Sequence, residues 1–294
     1  MDMTRDPGGE RVGGVDTPED APAAPAGASD VPEPAPLTEH GPARVIAVAN
    51  QKGGVGKTTS TINVGAALAE YGRKVLLVDF DPQGALSVGL GVQPHQLDAT
   101  VYNLLMERDA EVDEVIRPTN VPGMDLLPSN IDLSAAEVQL VFEVGREQAL
   151  ARALKPVLDR YDIVLIDCQP SLGLLTINAL ACADTVLIPL ACEFFSLRGV
   201  ALLMDTIDKV RDRLNPSLEI LGILATMFDP RTLHTREVQH RVREAFGDLV
   251  FQAVINRTVR FPETTVAGEP ITTWAPASAG ATAYRLLARE VLAR

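Results

Sequence analysis

From residue 44 onward, short apolar runs alternate with longer amphipathic stretches. Val45–Ala49, Val75–Val78, Asp125–Leu127, Ile163–Ile166, Thr185–Ile188, Ile220–Met227 and Val250–Ile255 are brief and almost free of charge, the pattern of strands covered on both faces. Between them, apolar residues recur at helical spacing near 58–71, 132–141, 145–160, 171–181, 197–214 and 235–246, and a last helix is predicted at 280–293. Strand alternating with helix predicts an α/β domain, a mainly parallel twisted sheet with helices on both faces, in which ligands bind at the carboxyl ends of the strands. No repeat and no composition break divides residues 44–294, which read as one domain.

Residues 1–43 follow no such pattern. They are rich in Pro, Ala and Gly and carry nine acids against Arg5 and Arg11, so they predict a disordered acidic tail that cannot offset its ordering entropy by burial. That tail holds more than half of the chain's net charge of −13, and the total therefore says little about the rest of the surface. With 46% apolar residues and a mean hydropathy of +0.11, the remainder can bury a substantial core. A basic region followed by an apolar run, the mark of a signal peptide, is missing, as is any span of ~18–20 apolar residues, and a cytoplasmic protein is expected. Cys168, Cys182 and Cys192 show no C-x-x-C spacing, and the four histidines no metal-ligand spacing.

The chemistry concentrates between the first predicted strand and the first predicted helix, in Gln51-Lys52-Gly53-Gly54-Val55-Gly56-Lys57-Thr58-Thr59. A phosphate-binding loop of this kind turns backbone N–H groups inward around phosphates, and the following helix N-terminus adds positive potential. Lys57 stands at the loop–helix junction, within reach of β- and γ-phosphates, and the Thr58 hydroxyl is placed to ligate Mg²⁺. A second lysine, Lys52, stands at the outer rim. Three strand-end carboxylates, Asp79, Asp81 and Asp167, admit two readings: strand-end capping or ion pairing, and a site that holds Mg²⁺ and orients an attacking water.

The loop Lys52–Thr59, the strand end Val78-Asp79-Phe80-Asp81-Pro82-Gln83-Gly84 and the turn Asp167–Ser171 resemble the deviant Walker A ATPases of the ParA/Soj partitioning group. The resemblance runs on through Thr226–Thr232, Val254–Arg260 and Ala275-Pro276. It implies a P-loop NTPase that uses ATP and Mg²⁺, hydrolyses slowly without a partner, and dimerises when ATP is bound. Lys52 would reach the partner's ATP, Lys57 would hold phosphate in cis, Asp81 would position the hydrolytic water, and Thr58, Asp81 and Asp167 would serve the metal. Gly53, Gly54, Val55, Gly56, Lys57, Thr58, Thr59 and Met227 would line the nucleotide. Two segments depart from the group's pattern: Asp167-Cys168-Gln169-Pro170-Ser171 in place of Asp-x-Pro-Pro-Ser, and Ile255-Asn256-Arg257-Thr258 in place of Ile-Pro-Arg-Asn, near the adenine.

Segment 231–260 carries six arginines against Glu237, Glu244 and Asp248. On a helix over 235–246, Val238, Val242, Ala245 and Phe246 make an apolar stripe opposite Arg236, His240 and Arg243. The resemblance assigns non-specific DNA binding to this region, matched most closely by Arg231, Arg257 and Arg260, and the basic helix face adds Arg236 and Arg243 as candidates, while a solvated helix face with ordinary ion pairs is the plainer alternative. Gly268-Glu269, where the group often has Gly-Lys, favours the latter. The function implied is a nucleoid-associated switch that positions chromosomal cargo with a ParB-like or other chromosome-organising partner. One rival is a MinD-like membrane switch. Others are an iron–sulfur reductase component and an ATP-dependent amide- or ring-forming enzyme. The final helix follows Pro276 and Gly280 directly and reads as a packed domain helix, so no membrane is expected.

Overall fold

The computed structural model describes residues 31–193 and 196–294, so the acidic-tail assignment for residues 1–30 lies outside the described residues. The strands are β1 Arg44–Val48, β2 Val75–Phe80, β3 Arg117–Pro118, β4 Met124–Leu127, β5 Ile163–Cys168, β6 Thr185–Ala191, β7 Glu219–Phe228 and β8 Val250–Asn256. They form one eight-stranded sheet in the order β3-β4-β2-β5-β1-β6-β7-β8, parallel throughout except for the short edge strand β3. Every residue of β2, β5 and β6 is buried, as strands covered on both faces must be.

The helices are α1 Lys57–Glu70, α2 Ala85–Gly89, α3 Val101–Met106, α4 Val112–Val115, α5 Leu133–Gln139, α6 Ala149–Leu154, α7 Leu174–Cys182, α8 Ser196–Arg213, α9 Leu233–Phe246, α10 Arg260–Ala267, α11 Ile271–Trp274 and α12 Ala279–Ala293. One core lies between the sheet and α3 to α9, with Val78, Ile166, Leu175 and Val242 among its members. The opposite core packs α1, α2, α11 and α12 on Ile46, Leu77, Leu165 and Phe251. The helix predicted over 145–160 shortens to α6, with a 3-10 turn over Arg146–Gln148 before it and 3-10 turns over Lys155–Arg160 after it, where Pro156 lacks an N–H and its ring clashes with the preceding turn. The helix predicted from 171 begins at Leu174, beyond Pro170 and Gly173.

The C-terminal helix is fully committed to the domain. Ala281, Tyr284, Leu287, Ala288 and Val291 are buried against α1 and β8, and the buried Glu290 carboxylate accepts the Gln252 and Ala253 N–H groups, each at 2.8 Å. Ahead of β1, residues 31–43 contain neither helix nor strand but are tied down. The Asp162 carboxylate accepts from the Gly41 N–H (2.9 Å) and His40 Nδ1 (2.8 Å), and the Val31 carbonyl accepts from the Arg289 guanidinium. Among the described residues no helix is long and apolar enough to cross a membrane.

Candidate nucleotide-binding site

The loop after β1 is shaped by backbone conformations that only glycine adopts without strain. Gly54 (φ 72°) and Gly56 (φ 83°) lie in the left-handed region. Gly56 is also the N-cap of α1 and offers no side chain to the helix, so the first N–H groups of α1 remain directed at the loop. Neighbouring strands brace this cradle. Asn50 donates from Nδ2 to the Pro189 carbonyl (2.8 Å) and accepts the Lys52 N–H (3.0 Å), and the Thr226 hydroxyl donates to the Val55 carbonyl (2.8 Å). Met227 follows with φ 51°, a strained value for a side chain of its size, and its methyl group lies beside Gly56.

The two lysines occupy different environments. Lys57 is buried and donates to the Lys52 carbonyl at 3.2 Å. Burial pushes its pKa down, against the opposing charges of Asp167, Cys168 and Asp81. Lys52 is half-exposed, and its ammonium pairs with Glu193, just beyond the end of β6.

The three carboxylates differ in their hydrogen-bond partners. Asp79 is fully buried and takes the capping role: it accepts the Ser87 N–H (2.8 Å) and hydroxyl (2.7 Å) in the first turn of α2. Asp81 is half-buried at the mouth of the site and accepts the Gln83 N–H at 3.0 Å. Asp167 is buried with Oδ1 3.5 Å from the Thr61 hydroxyl, while Oδ2 has no hydrogen-bond partner among the described residues. Burial and then the nearby Asp79 push the Asp167 pKa up, against the Thr58 hydroxyl and the Lys57 ammonium. A buried carboxylate oxygen without a donor, beside a threonine hydroxyl, is a donor set that fits Mg²⁺.

The loop residues, Asp81, Asp167 and Met227 thus converge on one end of the sheet. The arginines spread over a neighbouring surface. Arg231 is 86% exposed and bonded to Asp229 through Nε and Nη2, both at 3.0 Å. Arg257 anchors its N–H on the Phe228 carbonyl (2.9 Å), and Arg260 opens α10. Arg236 and Arg243 are exposed on α9, opposite Thr235, Val238 and Val242. Ala245 is exposed as well and does not belong to the apolar stripe, which runs from Val242 to the half-buried Phe246. The three thiols are buried or half-buried, and burial raises their pKa values, to about 11 for Cys192 and about 12 for Cys182.

Sequence reasoning passed over Glu193. It also passed over Asn50 and gave no role to Thr226, which brace the loop. Glu193 had a usable signal, since it is a lone acid just past a parallel strand, the same position that marks Asp81. Also unforeseen was the link from Gln169 Nε2 to the Glu137 carboxylate (3.2 Å), which ties the turn after Asp167 to α5. Beyond α5 the chain exposes a run of apolar side chains, including Phe142 at 85% and Val144 at 96%.

Fold and loop together define a P-loop NTPase. A family model for the AAA domain (AAA_31) matches residues 43–220. The chain is 48% identical over 255 residues to the chromosome partitioning protein ParA of Caulobacter vibrioides, covering 86% of this chain and 95% of that protein. It is 46% identical over 250 residues to the sporulation initiation inhibitor Soj of Bacillus subtilis (85% and 98%) and 72% identical over 257 residues to an uncharacterised Mycobacterium tuberculosis protein (87% and 81%). Among solved structures it resembles a Mycobacterium smegmatis protein described as cobyrinic acid a,c-diamide synthase with bound ATP analogue and magnesium. That match has a TM-score of 0.75 and 45% identity and covers 85% of this chain and 94% of that one. It also resembles the cell division ATPase MinD of Pyrococcus furiosus (TM-score 0.68, 30% identity, 85% and 98% coverage). The chain belongs to the ParA/Soj family of partitioning ATPases.

Proposed function

We propose that the protein is an ATP-switched dimer that binds DNA without sequence preference and positions chromosomal cargo at the nucleoid, with a ParB-like or other chromosome-organising protein stimulating hydrolysis. The observation that carries this reading is the division of labour between the lysines. Lys57 is held inside the cradle, whereas Lys52 points out at the rim, where a cation serves a nucleotide on another subunit better than its own. Thr58 and Asp167, with Asp81 nearby, would hold Mg²⁺, which supplies positive charge to the phosphates. Lys57 holds the phosphates in cis, Asp81 orients a water, and Lys52, brought in trans, stabilises charge on the transferring group and makes turnover depend on dimerisation. The apolar run after α5, linked to the Asp167 turn through Glu137, gives a second subunit something to bury.

The membrane alternative has less support, because the apolar face of α12 is spent on α1 and β8. The test is retention of random-sequence duplex DNA at two salt concentrations with ATP and Mg²⁺, with ADP, and without nucleotide. ATP-dependent, salt-sensitive retention that weakens in Arg257→Ala is expected; no retention in any state would reject the DNA switch.

A second reading attaches to the M. smegmatis protein described as a diamide synthase. An amide-forming enzyme would couple ATP cleavage to ammonia or glutamine and to a carboxylate substrate. Turnover that ignores DNA and requires a nitrogen donor would favour it.

A further inference from the structure

In the single subunit Lys52 already has a carboxylate partner. Its ammonium pairs with Glu193, their side chains 39% and 51% exposed, and its N–H is fixed by Asn50. Asn50 in turn is bonded to Pro189 of β6, the strand that delivers Glu193. One brace therefore sets both ends of the pair. The Lys52 hydrogen bond is the main cause that holds the Glu193 carboxyl below the ordinary range, against the opposing effect of burial.

We propose that Glu193 is a positioning residue that holds Lys52 back in cis, and that ATP-dependent dimerisation must break this pair before Lys52 can reach the second subunit. The inference rests on the in-trans reading of Lys52. A partly exposed pair of this kind is a weak latch, enough to set a threshold without blocking the switch.

Glu193→Gln removes the charge and keeps the shape. An exposed pair of this strength corresponds to roughly a two- to fivefold effect per subunit, or about four- to twenty-fivefold over a symmetric dimer, so Glu193→Gln should dimerise with ATP and Mg²⁺ at correspondingly lower protein concentration. Glu193→Asp should fall between it and the parent. Sedimentation gives the dimer constant, and nucleotide affinity of the dilute monomer controls for folding. Unchanged or weaker dimerisation of Glu193→Gln, with normal monomer nucleotide binding, overturns the latch. An independent arm uses a zero-length carbodiimide cross-link: the Lys52–Glu193 isopeptide should form in nucleotide-free protein and drop several-fold once the ATP dimer assembles. An undiminished yield in a demonstrated dimer also overturns it. If the parent protein fails to dimerise with ATP at all, the function proposed above fails, an outcome distinct from both.

Discussion

Asp79 and Asp167 are register partners on the adjacent parallel strands β2 and β5, yet one carboxylate is satisfied by protein donors and the other is not. Asp79 closes the first turn of α2 through Ser87. Asp167 keeps an oxygen without a partner next to the phosphate loop. Asp79→Ala should therefore cost stability, about 2–3 kcal/mol for two buried donors left unpaired, seen as a lower denaturation midpoint. Asp167→Asn should leave stability intact and weaken nucleotide binding in Mg²⁺ but not in EDTA. Outer-shell partners alone are worth about 10- to 100-fold in metal affinity, so at least about tenfold is expected for a direct ligand. Equal losses with and without Mg²⁺ would remove Asp167 from the metal site.

Lys52→Ala should lower turnover at least about 100-fold, the usual cost of losing one transition-state donor, with monomer nucleotide binding largely kept. Mixing subunits decides whether the lysine acts in trans. In a dimer of Lys52→Ala with Asp81→Ala, one of the two sites combines an intact Asp81 from the first subunit with an intact Lys52 from the second. Activity should return to about half of the parental dimer. Two inactive proteins that stay inactive when mixed would put Lys52 in cis.

Much of this architecture was legible in the chain. The central strands announce themselves because a parallel sheet covered on both faces needs near-continuous apolar runs, and Val75–Val78 and Ile163–Ile166 supply them. The loop was legible because its glycines and lysines have one common use between a strand and a helix. What escaped was short or non-local. β3 has two residues and α4 four, too few for any periodicity to register. Pro156 was in plain view, but the apolar spacing around it outweighed its effect in the reading of 145–160. The roles of Asp79, Glu193 and Glu137 depend on contacts with residues 8, 141 and 32 positions away, and no local pattern encodes such pairings.

The Arg231–Asp229 pair bears on the DNA surface. Asp229 holds the guanidinium through two bonds and so cancels part of its charge within the surface proposed for DNA. Arg231→Ala should then weaken DNA retention less than Arg257→Ala does. Asp229→Asn should strengthen retention and steepen its salt dependence by up to about one unit in the logarithmic slope, as the surface loses an acid that competes with phosphate for the Arg231 guanidinium. If Asp229→Asn leaves both affinity and slope unchanged, Arg231 is not part of the binding surface.

Asp162 gives the fold a defined acid sensitivity. Its carboxylate gathers the segment before β1 and the start of β2, accepting from Gly41 N–H, Lys74 N–H (2.7 Å) and His40 Nδ1. Burial alone would raise its pKa, but these donors outweigh burial and hold it below the usual carboxylate range. A carboxyl with a depressed folded pKa contributes stability above its unfolded pKa of about 3.9, and that contribution is lost as pH falls through the folded value. Asp162→Ala should therefore cost about 2–3 kcal/mol near pH 7, from three hydrogen bonds to a charged acceptor, and progressively less towards pH 3. Denaturant titrations of both proteins at several pH values give the difference directly, and faster amide exchange at Gly41 and Lys74 in the variant would locate it. A cost that stays the same at pH 3 and pH 7 would assign the effect to packing around the side chain and not to its charge.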